Sequence, residues 1–347
     1  MVNEQKRDLR KLSSNELTDF FESVGERKFR SKQVAEWLWK KSVTDIDAMS
    51  NLSSQTREKL KESFCINNIN LDHEQKSEDG TVKLAFRLHD GHLIEGVLIP
   101  TQKRMTACIS SQVGCSLSCK FCATGFLERK RNLDASEIYD QVVMINKQAL
   151  ENYQKPLTNI VYMGMGEPML NYSEVLKSVE YITSPEGLHM SSQRITISTA
   201  GVAKMIKKLG DDMAKFNLAL SLHAADEEKR NQIMPINETN SLEALKDALT
   251  YYYDKTGNDV TFEYILFYNF NDSLKDAENL MKFTRHVPSM VNIIEYNPIS
   301  ESSYTNTDPQ TLDKFRDYLT RKGVNVRVRR SRGKDIDAAC GQLANKN

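Results

Sequence analysis

A chain of 347 residues, 39% apolar and 27% charged, can bury a sizeable core, and its length suits one large domain with a smaller one or a single α/β barrel. Its 47 Lys and Arg offset its 47 Asp and Glu, which excludes the uniform positive charge of a wholesale nucleic-acid binder, and no stretch of about 18 apolar residues offers a membrane span. The charged opening MVNEQKRDLRK lacks the apolar core of a signal peptide, so the six cysteines point to the cytoplasm and to metal or catalytic use rather than a disulfide framework.

Residues 1–75 read as a small helical accessory domain rich in Lys and Arg. Ser13 and Glu16 fit a capping box, in which a hydroxyl and a carboxylate satisfy the first orphan amides of a helix reciprocally. Leu17, Phe20, Phe21 and Val24 then form one apolar helical face. A second helix around 31–41 carries Trp37 and Trp39, read as core rather than base-stacking aromatics, and a third covers 54–63. Cys65 has no partner motif and reads as structural.

Residues 76–103 read as a β-hairpin extension. Val82, Leu84, Phe86 and Leu88 alternate with other residues, and Asp90-Gly91 supplies a tight turn. The return strand sets Leu93, Glu95, Val97 and Ile99 on one face. Glu95 is thus a carboxylate on an apolar face: near the surface, paired, or poised for acid/base work.

Residues 104–347 read as the core. Strands are expected near 105–110, 159–163, 194–199, 217–222, 260–266 and 291–296, with helices between them, then a helix at 309–321 and a strand at 324–330. Strict alternation implies parallel pairing, and six units give an open, partial TIM-type α/β barrel rather than a closed eight. Chemistry in such barrels sits on the loops at the C-terminal strand ends. Gly164-Met165-Gly166-Glu167-Pro168, Ser198-Thr199, Ser221-Leu222-His223 and Asn297-Pro298 all fall there.

The first of these loops carries Cys115, Cys119 and Cys122 in a CxxxCxxC spacing. Three thiolates this close can hold three corners of an iron–sulfur cube. A structural zinc would want a fourth ligand at similarly short spacing, and Cys65, Cys108 and Cys340 all lie outside a CxxC step. The spacing therefore suggests a [4Fe–4S] cluster with one iron left open. Two basic runs stand out, Arg129-Lys130-Arg131 and the seven cations Arg321, Lys322, Arg327, Arg329, Arg330, Arg332 and Lys334, with no acidic residue among the latter. Beside the cysteines they favour RNA as a partner.

CxxxCxxC with Phe121 before its last cysteine resembles the radical S-adenosylmethionine (SAM) signature. Together with Met163-Gly164-Met165-Gly166-Glu167-Pro168 and the tail Arg332-Gly333-Lys334-Asp335-Ile336-Asp337-Ala338-Ala339-Cys340-Gly341, the whole chain resembles the RlmN/Cfr family of radical SAM RNA methyltransferases, in its RlmN type. One stretch departs: the family usually carries Gly-Phe before the Arg-Asn-Leu that follows the cluster loop, and here Glu128-Arg129 precedes Lys130-Arg131-Asn132-Leu133.

The resemblance implies a [4Fe–4S] cluster on Cys115, Cys119 and Cys122, with SAM on its open iron. Backbone groups of Gly166 and Glu167 would hold the methionine part, and Ser198, Ser221, Leu222, His223 and Asn297 the ribose and adenine. It implies methylation of adenine C2 in 23S rRNA and in tRNA beside the anticodon, using two SAM per turnover. Cys340 would take a methyl from the first SAM. A 5′-deoxyadenosyl radical from the second would abstract hydrogen from that methyl, and the carbon would add to C2. Glu95 would remove the C2 proton, and Cys108 would release the product as a disulfide with Cys340. The basic run near Cys340 would lower its pKa. A flavodoxin-like electron donor, a monomeric state and RNA contacts by the N-terminal helices complete the expectation.

Both branches of the family carry all five of these cysteines, so the alternative is Cfr-type methylation at C8; Pro168 favours the RlmN type. A structural-metal RNA-binding protein without catalysis would need neither Cys108 nor Cys340. An electron-transfer protein would need neither the Gly-Met-Gly-Glu turn nor the basic tail.

Overall fold

The computed structural model describes residues 6–345. At the N-terminus, α1 (Ser14–Ser23), α2 (Phe29–Ala35, prolonged by a wider π-turn to Lys40) and α3 (Ser54–Ser63) pack through Leu17, Phe21, Val34, Leu38 and Leu60. The capping box forms, with Glu16 accepting from the Ser13 amide at 2.7 Å and Ser13 Oγ accepting from the Glu16 amide at 3.2 Å. Trp39 is core: it stacks on Tyr181 at 3.6 Å between ring centroids and meets Tyr139 edge-on. Buried Arg10 ties this segment to the barrel by gripping both oxygens of Asp140 at 2.8 and 2.9 Å. Trp37 stays half-buried, with the Lys41 ammonium 3.6 Å above its ring. The Cys65 thiol donates to the Lys6 carbonyl.

One sheet of ten strands organises the rest. Its antiparallel end is β1 (Asn70–Lys76), β2 (Val82–Arg87) and β3 (Leu93–Pro100), joined to β4 (Met105–Cys108). From β4 onward every neighbour is parallel: β5 (Asn159–Tyr162), β6 (Ile195–Thr199), β7 (Asn217–Ser221), β8 (Val260–Leu266), β9 (Ser289–Glu295) and β10 (Val326–Arg329). Helices α4 (Ala135–Tyr153), α5 (Tyr172–Thr183), α6 (Ala203–Asp211), α7 (Glu227–Ile233), α8 (Leu242–Thr256), α9 (Leu274–Thr284) and α10 (Pro309–Arg321) return the chain between them. The result is the open, partial TIM-type barrel. β1 was not expected from the sequence, because apart from Leu71 its residues are polar. It is an edge strand whose charged, largely exposed residues blunt unwanted pairing, so no apolar period marks it.

Parallel strands covered on both faces usually read as continuous apolar runs. Here Ile197, Leu220, Phe262 and Ile293 are fully buried apolar residues, whereas Ser198, Ser221, Glu263 and Asn292 fall on the alternate positions. Ser198 and Ser221 hydroxyls lie 3.2 Å apart, and Asn292 Nδ2 donates to Glu263 Oε1 at 2.8 Å. A polar inner face is what a hollow barrel needs.

The β1–β2 turn is bolted to the C-terminal segment. Asp79 accepts from the Gly333 amide at 2.9 Å and pairs with Arg332 at 3.6 Å, while Asp335 accepts from Ser77 Oγ at 2.6 Å. Burial alone would raise the Asp79 pKa, but bonds from Thr81 and Gly333 and the Arg332 charge hold it down to about 2. A carboxyl depressed below its unfolded value of 3.8 stabilises the fold above that pH and loses its contribution as pH falls through about 2. Asp79→Asn should therefore lower the melting temperature at neutral pH. Its deficit against the parent should shrink steadily between about pH 4 and pH 2 in paired melts.

Candidate functional site: a cysteine-lined cavity in the barrel mouth

A cavity of ≈ 430 Å³ opens at the C-terminal strand ends. Cys108, Cys115, Cys119, Cys122 and Cys340 all line it, as do Gly166, Glu167, Ser198, Ser221 and His223. Glu95, Leu222 and Asn297 do not.

The cluster loop is closed at its base by a two-residue antiparallel pairing, Gln112 with Asn132 and Val113 with Arg131. Gly114 is required there: at φ +73°, an added Cβ would stand 2.2 Å from the Glu128 carbonyl oxygen. Glu128-Arg129, where the family pattern departs, thus sits at the loop's closure without opening it. All six cysteines are free thiols. Burial pushes the Cys115 thiol up to about 11 and the Cys119 thiol well above its ordinary value, and each of the two feels another of the triplet.

The donor set fits an iron–sulfur cluster. Backbone amides of Leu117 and Ser116 aim at the Cys115 sulfur, and those of Gly125 and Thr124 at the Cys122 sulfur, favouring thiolates that burial otherwise disfavours. Among the described residues no three His, Cys, Asp or Glu side chains converge as ligands of a single metal ion.

The turn after β5 packs on the segment after β4. Gly164 and Met165 amides donate to the Ile109 carbonyl and Ser110 Oγ, and the Ser111 amide donates to the Met165 carbonyl at 2.9 Å. Gly166 lies at φ +95°, with space for a Cβ closed by Gln112 at 2.5 Å. The Glu167 amide donates to Gln112 Oε1, and its carboxylate accepts from the Ala200 amide at 2.7 Å and the Met169 amide at 2.9 Å. Its side chain braces two loops of the rim.

His223 takes a left-handed conformation, φ +54°. Its Nδ1 accepts from the Ile265 amide at 3.1 Å, so the ring proton is on Nε2, and burial and the Arg230 charge push its pKa down to about 3. The Leu222 side chain is fully buried; its amide donates to Glu263 and its carbonyl accepts from Arg230. Arg230, which sequence reasoning missed, is itself fully buried and reaches Leu222, Ala200 and Ser221 carbonyls plus Asn237 Oδ1. Its position inside the short, largely polar α7 gave no separate signal.

Cys340 faces the cavity from a loop strapped to the cluster loop. The Ala123 amide donates to the Gly341 carbonyl at 2.7 Å, Thr124 Oγ to the Leu343 carbonyl at 2.6 Å, and Asn297 Nδ2 to the Cys340 carbonyl at 3.1 Å. Asn297 Oδ1 is buried without a partner among the described residues. Cys340 is exposed at the cavity mouth, but the protein packed around its sulfur desolvates it and raises its pKa, and Cys122 and Glu263 add to this. Of the basic run Arg329, paired with Glu263 at 3.5 Å, pulls the other way and is outweighed. Burial and the nearby Cys340 push Cys108 up to about 12.

Glu95 lies behind this loop. It is 1% exposed, and its Oε2 accepts from the Ala344 amide at 2.8 Å and the Asn345 amide at 3.1 Å. Buried Lys83, also missed from the sequence, stands 3.6 Å from Oε1. Its signal was its parity: the Asp90-Gly91 hairpin pairs Lys83 with Val97, on the Glu95 face.

Two family models match the chain: the ribosomal RNA large subunit methyltransferase N-terminal domain over residues 7–66, and the radical SAM superfamily over residues 109–283. A probable dual-specificity RNA methyltransferase RlmN of Cytophaga hutchinsonii is 60% identical over 342 residues, 99% of this chain and 94% of that protein. A protein of the same name from Christiangramia forsetii is 55% identical over 346 residues, 100% of this chain and 98% of that one. The crystal structure of a radical SAM methyltransferase from Sphaerobacter thermophilus gives a TM-score of 0.91 at 36% identity, covering 98% of this chain and 100% of that one. Identity carried end to end over a cysteine-lined open barrel places the chain in the RlmN family of radical SAM RNA methyltransferases.

Proposed function

We propose that this enzyme methylates C2 of an adenosine in the peptidyl-transferase centre of 23S rRNA and of the adenosine beside the anticodon in tRNAs, carrying the methyl carbon on Cys340. The observation behind this reading is that Cys340, Cys108 and the triplet line one cavity. C2 sits between two ring nitrogens and is a poor nucleophile, so direct displacement on SAM is closed to it. A [4Fe–4S] cluster on Cys115, Cys119 and Cys122 supplies the electron that opens a radical route.

The chain's own groups then divide the work. The Cys340 sulfur attacks the SAM methyl, forming a sulfur–carbon bond as its proton leaves and S-adenosylhomocysteine departs. Gly166 and Glu167, with Ser198, Ser221, His223 and Asn297, bind and orient SAM, and Leu222 shapes the turn beneath it. Glu95 accepts the C2 proton, for which the Ala344 and Asn345 amides must first give up their two hydrogen bonds to it. Before that step one hydrogen is lost from the Cys340 methyl to the group derived from the second SAM, and the carbon bonds to C2. The Cys108 sulfur, giving up its proton, then closes a disulfide on Cys340; the sulfur–carbon bond breaks and its electron pair stays with the carbon, which gains a proton and remains on C2 as methyl. A second SAM per turnover, an external, flavodoxin-like electron donor for the cluster and a thiol reductant that returns two electrons to the Cys108–Cys340 disulfide complete the balance.

Arg104, Arg329, Arg330 and Arg332 line the cavity, a cationic rim suited to phosphates. We assign RNA gripping also to residues 1–75, where Arg27, Lys32 and Lys40 are exposed, and treat 76–103 and 104–347 as the extension and the catalytic core. The enzyme is proposed to act as a cytoplasmic monomer. Among the described residues no helix is long and apolar enough to cross a membrane.

The test is anaerobic incubation with SAM labelled in its methyl group and unmodified 23S rRNA or tRNA, followed by nucleoside mass spectrometry. 2-Methyladenosine is expected; 8-methyladenosine would move the enzyme to the Cfr type. Separately, Cys119→Ser should abolish the visible absorbance of the reconstituted cluster and all SAM cleavage while the circular dichroism spectrum is kept. Retained absorbance would remove Cys119 from the ligand set.

A further inference from the structure

Glu95 and Lys83 form an isolated ion pair inside the protein. The two residues are 1% and 4% exposed, and their charged groups lie 3.6 Å apart on adjacent strands. The two carboxylate oxygens are treated differently. Oε2 receives both tail amides, whereas Oε1 has no hydrogen-bond donor among the described residues and faces only the Lys83 ammonium.

The other groups packed around Glu95 carry no formal charge. Ser110 Oγ bonds its carbonyl, the Met165 sulfur accepts from its amide, and the tail contributes main-chain amides. On β4 the titratable group on this face is Cys108, opposite Val97. Lys83 is thus the one counter-charge in contact with Glu95 among the described residues. A buried charge whose partner is removed is left uncompensated and tends to be neutralised. A neutral acid cannot accept a proton.

We propose that Lys83 is a positioning residue of the methyl transfer: its ammonium keeps the Glu95 carboxylate charged and fixed once RNA displaces the tail amides. This rests on the reading of Glu95 as proton acceptor. The bond from the tail is temporary by necessity, since the target base must reach the same carboxylate. The ion pair with Lys83 comes from the adjacent strand and uses the other carboxylate oxygen, so it does not depend on the tail amides.

The experiment compares Lys83→Met and Lys83→Arg in the reconstituted holoenzyme. RNA methylation is followed against pH, and Cys340 methylation is followed separately with labelled SAM and no RNA. Lys83→Met should slow RNA methylation about tenfold or more at neutral pH and move the acidic limb of its pH–rate profile upward. Lys83→Arg should restore most of the rate and the parent profile. Cys340 methylation should be the same in all three proteins, because Glu95 acts after it.

A parent-like rate and profile in Lys83→Met overturns the proposal, as does an equal loss of Cys340 methylation, which marks a merely structural role. Should Lys83→Met fail to fold, the double variant Lys83→Met/Glu95→Gln decides. Recovery of a near-parent melting temperature supports the pair, and continued instability overturns it. Glu95→Gln with full RNA methylation removes the base reading itself. Glu95→Gln inactive beside a parent-like Lys83→Met removes the Lys83 role alone.

Discussion

Cys340→Ala is expected to abolish RNA methylation, by about 10⁴-fold or more, while SAM cleavage and cluster absorbance persist. The loss is this large because the sulfur is the carrier of the transferred carbon in the proposed route, and no neighbouring group can replace a covalent link. The substitution is also clean. The loop is held through main-chain atoms, the Gly341 carbonyl on Ala123, the Leu343 carbonyl on Thr124 and the Cys340 carbonyl on Asn297. Removing the sulfur leaves all three bonds. Label incorporated into RNA measures the effect, and more than about one hundredth of the parent rate would sink the carrier role.

Arg230→Met is expected to cost about 3–5 kcal/mol of stability and to weaken SAM binding about tenfold or more. Burial pulls the Arg230 pKa down to about 10, still high enough for a full charge at neutral pH. That charge is spent on the Leu222 carbonyl at 3.1 Å and the Ala200 carbonyl at 2.6 Å, with Asn237 Oδ1 at 2.5 Å. Methionine fills the volume and leaves these buried acceptors without donors, each a penalty of about 1–3 kcal/mol. The ends of β6 and β7, which carry Ser198 and Ser221, and the turn after β7, which carries His223, lose their common anchor. Denaturant titration and SAM binding to the reconstituted protein measure the two effects. Parent-like values for both would show that the turns hold without it.

Much of this site was legible because its chemistry demands particular residues at short spacing. The CxxxCxxC triplet and the Gly-Met-Gly-Glu turn lie in single loops, and alternating strands and helices place those loops on one rim. Cys108 and Cys340 were legible only through resemblance, since 232 − 1 = 231 residues intervene between positions 108 and 340 and no local pattern links them. Arg230 was not legible, because it draws its meaning from carbonyls on other loops, and Lys83 was legible only through the hairpin parity that sets it on the Glu95 face. The polar edge strand β1 was missed for a related reason: it lacks an apolar face and exists because β2 offers it a ladder.

The sequence by itself determined the open barrel, the close-spaced thiol triplet and the polar rim, because periodicity, turn chemistry and thiol spacing act within a few residues. Only the tertiary structure decided the electrostatics. It showed that the desolvating and acidic surroundings of the exposed Cys340 outweigh Arg329, that Glu95 sits behind the tail rather than in the cavity wall, and that Lys83 pairs with it. The cost of burying a charge depends on everything packed around it, and that environment is assembled from segments far apart in the chain.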